Sequence, residues 1–242
     1  SARAMMAALA PIATLGLASR SFRLVPYGEA VSPSLAASGP TISCDGRVPG
    51  STLELTHWTA NVTPRPLYAD TSTECALRLA QACSRGEYAQ LAEATVLNNH
   101  FDTDGVLSVW ACLEPEAALR HAALLCEGAE AGDFGEWSSD RGIQLDAAIE
   151  AIGGGALGAA AGESGDAAKY AAALEALPSL LEDLPQHEAL WREGFGEATA
   201  GWAALLDGRA TLARSQGIAV LTEPSAGGEG GEGGEGGEGG EG

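Results

Sequence analysis

Short apolar runs alternate along this chain with stretches of helical period, an order that predicts strands interleaved with helices. Thr41 to Cys44 and Thr52 to Thr56 are strand candidates, the first ending at Asp45-Gly46 and the second at His57-Trp58. Thr71 and Glu74 stand at capping-box spacing, so a helix begins there. It places Cys75, Leu79 and Cys83 on one buried side and stops at Gly86. Thr95, Val96 and Leu97 make a third strand, and Gly105 to Leu113 continues as an apolar helix. Pro115 is well placed to open another helix, running to about Ala129, before the stretch Gly132 to Trp137 breaks the pattern. Leu145, Ala148, Ile149 and Ile152 form the stripe of a further helix, ended by Gly153. From Asp166 the pattern is helical, with breaks at Pro178 and Pro185. Between Gln186 and Ser215, Leu190, Trp191, Phe195, Trp202 and Leu205 read as a core stripe, and Ile218 to Leu221 as a last strand. The whole predicts an α/β fold: a three-layer domain with a mainly parallel sheet and a helix-rich C-terminal half.

Composition divides the chain into three parts. Residues 1–27 are rich in Ala, Ser and Arg without an acid, which fits an organelle transit peptide, with a secretory signal or a disordered leader as rivals. Residues 28–222 read as a single α/β domain, in which the Gly- and Ala-rich residues 153–165 form a flexible insertion. The Gly/Glu repeats of residues 223–242 cannot bury apolar surface and are expected to be disordered. A plastid or mitochondrial location follows from the transit-peptide reading, a cytoplasmic one otherwise. Nothing looks transmembrane.

Charge sharpens the picture of partners. The net charge is −20; residues 1–28 carry three arginines and no acid, and the segment from Gly227 carries five glutamates, which leaves −18 for residues 29–226. So acidic a body repels nucleic acid and anionic membranes and attracts divalent cations. The five cysteines, Cys44, Cys75, Cys83, Cys112 and Cys126, form no CxxC pair and read as reduced core residues.

The candidate chemistry lies between the third strand and its helix, where His100, Asp102 and Asp104 fall within five residues. Open α/β sheets bind ligands at the carboxyl ends of their strands, and alternate residues of an extended segment share a side. Imidazole with carboxylate suits Mn²⁺, Fe²⁺ or Zn²⁺, whereas Mg²⁺ prefers an all-oxygen shell. Gly105 is expected to let the backbone approach a ligand closely. The plainer alternative makes Asp102 and Asp104 turn and N-cap residues and His100 an ordinary polar residue. His57 and Asp45 end the two neighbouring strands; if the three strands lie side by side, both join the cluster along one edge. Asp133, in its Gly-flanked loop, is a weaker contributor, and His121 and His187 read as surface or packing residues. Residues 153–165 lack the GK[ST] of a phosphate-binding loop.

His100-Phe-Asp102-Thr-Asp104-Gly105-Val-Leu-Ser108 is similar to the first motif of the DHH phosphoesterase superfamily, in which HxDxDG supplies ligands to a pair of manganese ions. Leu55-Thr-His57-Trp58, with Ser72-Thr73-Glu74 downstream, resembles a degenerate DHH motif. Position 56 is Thr rather than Asp, position 58 is Trp rather than His, and the motif order is reversed. From Phe22 to Trp137 the chain also resembles an uncharacterised bacterial and organellar family of unknown function, which implies no activity.

The leading expectation is a metal-dependent hydrolase of phosphate esters or anhydrides acting on a small anionic phosphorylated substrate. His100, Asp102, Asp104, His57 and Asp45 are its expected ligands to Mn²⁺, Mg²⁺ or Zn²⁺. His100 and Asp104 are expected to take part in catalysis, and Arg65 in substrate binding. A non-catalytic metal-binding or interaction protein on the same scaffold is the alternative, with a cysteine hydrolase a distant third.

Overall fold

A computed structural model describes residues 20–157, 165–215 and 218–222 of the chain. Its centre is a parallel sheet of four short strands: β1 (Ser21–Leu24), β2 (Thr41–Cys44), β3 (Leu53–Leu55) and β4 (Thr95–Asn98), in the order β1-β4-β2-β3. β2 is buried throughout, and β4 is buried over its last three residues, as parallel strands covered on both faces require. Successive residues of β4 serve different layers. Val96 belongs to the main core, whereas Leu97 packs with Val25, Val48 and Leu35, the last from the short helix α1 (Pro33–Ser38). The three expected layers follow from that alternation.

The main core is built by helices α2 (Ser72–Ser84), α3 (Thr103–Leu113), α4 (Pro115–Arg120), α5 (Ala122–Phe134), α6 (Asp140–Gly153) and α7 (Asp166–Glu182). Central among them, α3 is buried over all residues but its last and lies against β1, β2 and β4 as well as α2, α5, α6 and α7. Leu125 of α5 is one of the core's fully buried side chains. Leu125→Ala is expected to cost about 2–5 kcal/mol in a urea titration, the range for a truncated core leucine; a loss under about 1 kcal/mol would mean that the site is not tightly packed.

Several elements depart from the sequence reading. β1 lies inside the stretch read as a leader, where Phe22 and Leu24 pack on the core. The expected single helix after Pro115 is interrupted at His121 and then extends to Phe134, ending at Gly135 in the left-handed region. Pro178 sits within α7 without ending it. The expected last strand, β6 (Ile218–Thr222), joins no parallel sheet; it pairs antiparallel with β5 (Thr211–Ser215). The β5 residues fall within the stretch to Ser215 that the sequence reads as a helical stripe. Trp202 of helix α8 (Glu188–Leu206) is 54% exposed rather than buried in a core. Contacts divide the chain into two compact units, Ser1–Gly194 and Phe195–Gly242. Of the expected insertion, residues 158–164 lie outside the described residues, as do residues 1–19 and 223–242.

All five cysteines are free thiols, with Cys44, Cys75 and Cys112 buried. Among the described residues no helix is long and apolar enough to cross a membrane.

Candidate metal centre

The sheet order places β4, β2 and β3 side by side and parallel, so their carboxyl ends share one edge. Asp45 leaves β2 there, His57 follows β3, and His100, Asp102 and Asp104 follow β4. The structure therefore brings together all five expected ligands. It does not bring Arg65, which is exposed in a turn and has no bond to the cluster.

Asp104 forms the floor. Wholly buried, its carboxylate accepts from the backbone N–H of Ser72 (2.7 Å) and of Thr73 (2.8 Å). These are the first donors of α2, which no intrahelical acceptor can serve, and the next one, Glu74 N–H, bonds to the Thr71 hydroxyl. An anion at a helix N-terminus is favourable. Yet burial, followed by the charges of Asp45 and Asp133, pushes the Asp104 carboxyl up to about 8.

Asp45 stands between the two histidines. It turns the chain from β2 with φ of 55°, a conformation Asp tolerates better than most residues. Its Oδ1 accepts from the Ser72 hydroxyl (3.0 Å) and lies 3.8 Å from His57 Nε2; its Oδ2 lies 2.9 Å from His100 Nε2. Burial raises its pKa, against the lowering influence of His100.

Asp102 does two things at once. One oxygen caps α3 by accepting from Gly105 N–H at 2.7 Å, and the other meets His100 Nε2 at 2.8 Å. Burial disfavours its charge, but His100 and the Gly105 N–H outweigh burial and hold the carboxyl below its ordinary value. The capping expectation and the ligand expectation for this residue are thus compatible.

His100 is oriented by its other nitrogen. Asn99 Nδ2 donates to the Arg47 carbonyl (3.1 Å), which turns Asn99 Oδ1 toward His100 Nδ1 at 2.9 Å. In a neutral ring Nδ1–H would then be the donor, leaving the lone pair of Nε2 to face two carboxylates. Three electron-rich atoms at 2.8–2.9 Å repel one another unless a cation lies between them. A proton is the alternative: burial opposes it, but Asp102 and Asp45 push His100 up to about 10.

Asp133 is the residue that sequence reasoning undervalued. It is no loop residue; it sits in the last turn of α5, with its Oδ2 2.9 Å from His57 Nε2. That neighbour, against burial, raises the His57 pKa. The signal was present in Gly135, whose left-handed cap ends the helix one residue after Phe134. Gly132 was a second sign, because a Cβ there would stand 2.8 Å from Thr103 Cβ. Phe134 and Trp58 complete the surroundings, their rings 5.7 Å from His57 and 5.3 Å from His100.

Two triads of potential ligands result, Asp45 with His100 and Asp102, and Asp45 with His57 and Asp104, each with its ligand atoms within 4.8 Å of one another. Ligands about 2.1 Å from a common ion lie ~3–4 Å apart; here the imidazole–carboxylate separations are 2.8 and 2.9 Å in the first triad and 3.8 and 3.9 Å in the second. Asp45 Oδ2 and Asp133 Oδ2 are buried without an aligned hydrogen-bond donor, although an imidazole Nε2 lies 2.9 Å from each. Buried carboxylate oxygens of that kind are unfavourable unless neutralised. The donor set of two imidazoles and four carboxylates fits divalent transition ions. His121 and His187 lie elsewhere, beside Glu182 and Ser179 respectively.

No curated protein and no solved structure matches the chain. Residues 20–229, a span that includes every described residue, match a family of unknown function, DUF6687, and the chain belongs to that family.

Proposed function

We propose that this protein is a metal-dependent hydrolase of phosphate esters or anhydrides, working with a pair of divalent ions of the Mn²⁺ type. The observation that carries the reading is the sharing of Asp45 between two adjacent triads, each with one imidazole and at least one further carboxylate. Two such ions, if bound, would supply a water acidic enough to ionise near neutrality and the charge to neutralise phosphoryl oxygens. His100, Asp102 and Asp45 would hold one, and His57, Asp104, Asp45 and Asp133 the other. The chain's own part is positional. Asn99 presents Nε2 of His100, the α2 N-terminus anchors Asp104, and Gly105 N–H holds Asp102. Trp58 and Phe134 flank the cluster. The resemblance of His100 to Gly105 to HxDxDG supports the same chemistry.

One observation favours the second reading, a metal-binding protein without turnover. Among the described residues the ion pairs of Asp45, Asp102, Asp104 and Asp133 are all to histidine, and Arg47, the arginine closest to Asp45 in sequence, pairs with Glu54. A phosphate clamp is thus not evident, and substrate binding would fall to the ions.

Turnover of a chromogenic phosphodiester with added Mn²⁺ tests the proposal. Asp102→Asn is the informative variant, because Asn also caps helices and so preserves α3 while removing a charge. Its activity is expected to fall about 100-fold, at the upper end of what even outer-shell changes cost. Mn²⁺ binding without turnover in the wild type would favour the binder, and equal activity in the variant would move the site elsewhere.

A further inference from the structure

Beneath Asp102 two buried polar atoms lack a partner, Asn98 Nδ2 and Tyr170 Oη. Both residues are wholly buried. The Asn98 amide has a fixed sense, because its Oδ1 already accepts from the backbone N–H of Asn99 and, at 3.1 Å, from that of His100. Its NH₂ therefore faces inward. Tyr170 comes from α7, its ring held against Phe22 and Phe101 at 4.6 and 5.4 Å between centroids. The two groups meet at Gly105, where an added Cβ would stand 2.6 Å from Asn98 Nδ2, 2.7 Å from Tyr170 Oη and 2.8 Å from Asp102 Oδ1. Three polar atoms crowd round one missing methyl group.

A phenol can accept one hydrogen bond and donate another, which is what an unpaired amide donor and a carboxylate oxygen require. We propose that Tyr170 is a positioning residue of the metal centre: neither bond is made in the structure, but a small rotation of the buried phenol and amide would let the hydroxyl accept from Asn98 and donate to Asp102 across the bare backbone of Gly105. The proposal rests on the metal-binding reading of Asp102. Gly105 N–H and the phenol together would fix Asp102 Oδ1, leaving Oδ2 directed at His100 and Asp45. The glycine after the second Asp of the motif then has a reason other than ligand approach: any side chain would expel the tyrosine hydroxyl.

Tyr170→Phe in the full chain tests this, read by calorimetric Mn²⁺ affinity and by the melting midpoint of the metal-stripped protein. Affinity is expected to fall about tenfold, as for other outer-shell partners of metal ligands. The midpoint is expected to fall by roughly 2–4 °C, one hydrogen bond in a chain of this size. An idle hydroxyl behaves oppositely: its removal leaves affinity unchanged and raises the midpoint, and that result overturns the proposal. A lower midpoint with unchanged affinity overturns it too, since the bond then supports the fold alone. Wild-type protein that binds no Mn²⁺ fails at an earlier step, sinking the metal-centre reading together with the role assigned to Tyr170.

Discussion

Asp45→Asn is expected to abolish tight binding of divalent ions at both positions while raising the melting midpoint of the metal-free protein. The backbone should survive the change, since Asn tolerates the positive φ of this position and keeps an oxygen for the Ser72 hydroxyl. What disappears is the one carboxylate common to both triads. Affinity should drop by more than the ~10–100-fold of an outer-shell change, and for both ions at once. Stability moves the other way because burial already disfavours the Asp45 charge, so that its ionised form weakens the fold at neutral pH. Neither histidine is left unpaired, as Asp102 remains beside His100 and Asp133 beside His57. Saturating Mn²⁺, about 100-fold above its dissociation constant, should stabilise the wild type by ~2.7 kcal/mol and the variant by almost nothing. Paired melting curves with and without Mn²⁺ decide the matter; a variant that keeps the metal-induced shift would remove Asp45 from the centre.

Affinity for Mn²⁺ should rise steeply with pH. In the metal-free protein Asp104 titrates near 8 and His100 near 10, so both carry protons at neutrality. An ion must displace them. Two displaced protons give roughly a hundredfold gain in affinity between pH 6 and 7, flattening above pH 8 as Asp104 ionises by itself. The same shifts fix the sign for folding. Asp104 is raised from 3.8, so its contribution is complete below pH 3.8 and is lost as pH rises to 8. His100 is raised from 6.5, and its contribution is complete below pH 6.5 and lost as pH rises through 10. Metal-stripped protein should therefore lose stability as pH increases from about 4 to about 10 through these two groups, and Mn²⁺ should protect it most at the alkaline end. Calorimetry in buffers of different ionisation enthalpy measures the released protons directly; a binding enthalpy independent of buffer would falsify the displacement.

Much of the centre was legible because strand ends and metal-binding residue types are local features. Asp45, His57 and His100 each follow an apolar run short enough to be a strand, and Asp102 has the spacing of a cap. Asp133 was harder to read, since its helix ends at a glycine that also looks like a loop signal. Asn99 gives no sign in sequence of supporting the site, and Ser72 and Thr73 none beyond their place in the motif resemblance, because backbone groups and an amide meet partners from other elements. Arg65 lies exposed in a turn outside the ligand cluster: closeness in sequence to His57 does not fix direction once the chain turns.

By itself the sequence determined the alternation of strand and helix, the covered parallel sheet, the start of α2 at Thr71 and the acidic character of the body, all consequences of periodicity, capping chemistry and composition. Tertiary structure alone decided the rest. It placed β4 beside β2, so that residues from three strands meet; it carried Asp133 on α5 to His57; and it ran Tyr170 beneath Gly105. It also built β1 from residues whose composition resembled a leader, because one strand's worth of alternating apolar residues is too weak a pattern until a sheet edge exists to receive it. The physical reason is common to these cases. Local preferences act over a few residues, whereas the pairing of buried charges depends on which elements pack together, and that is settled by the core as a whole.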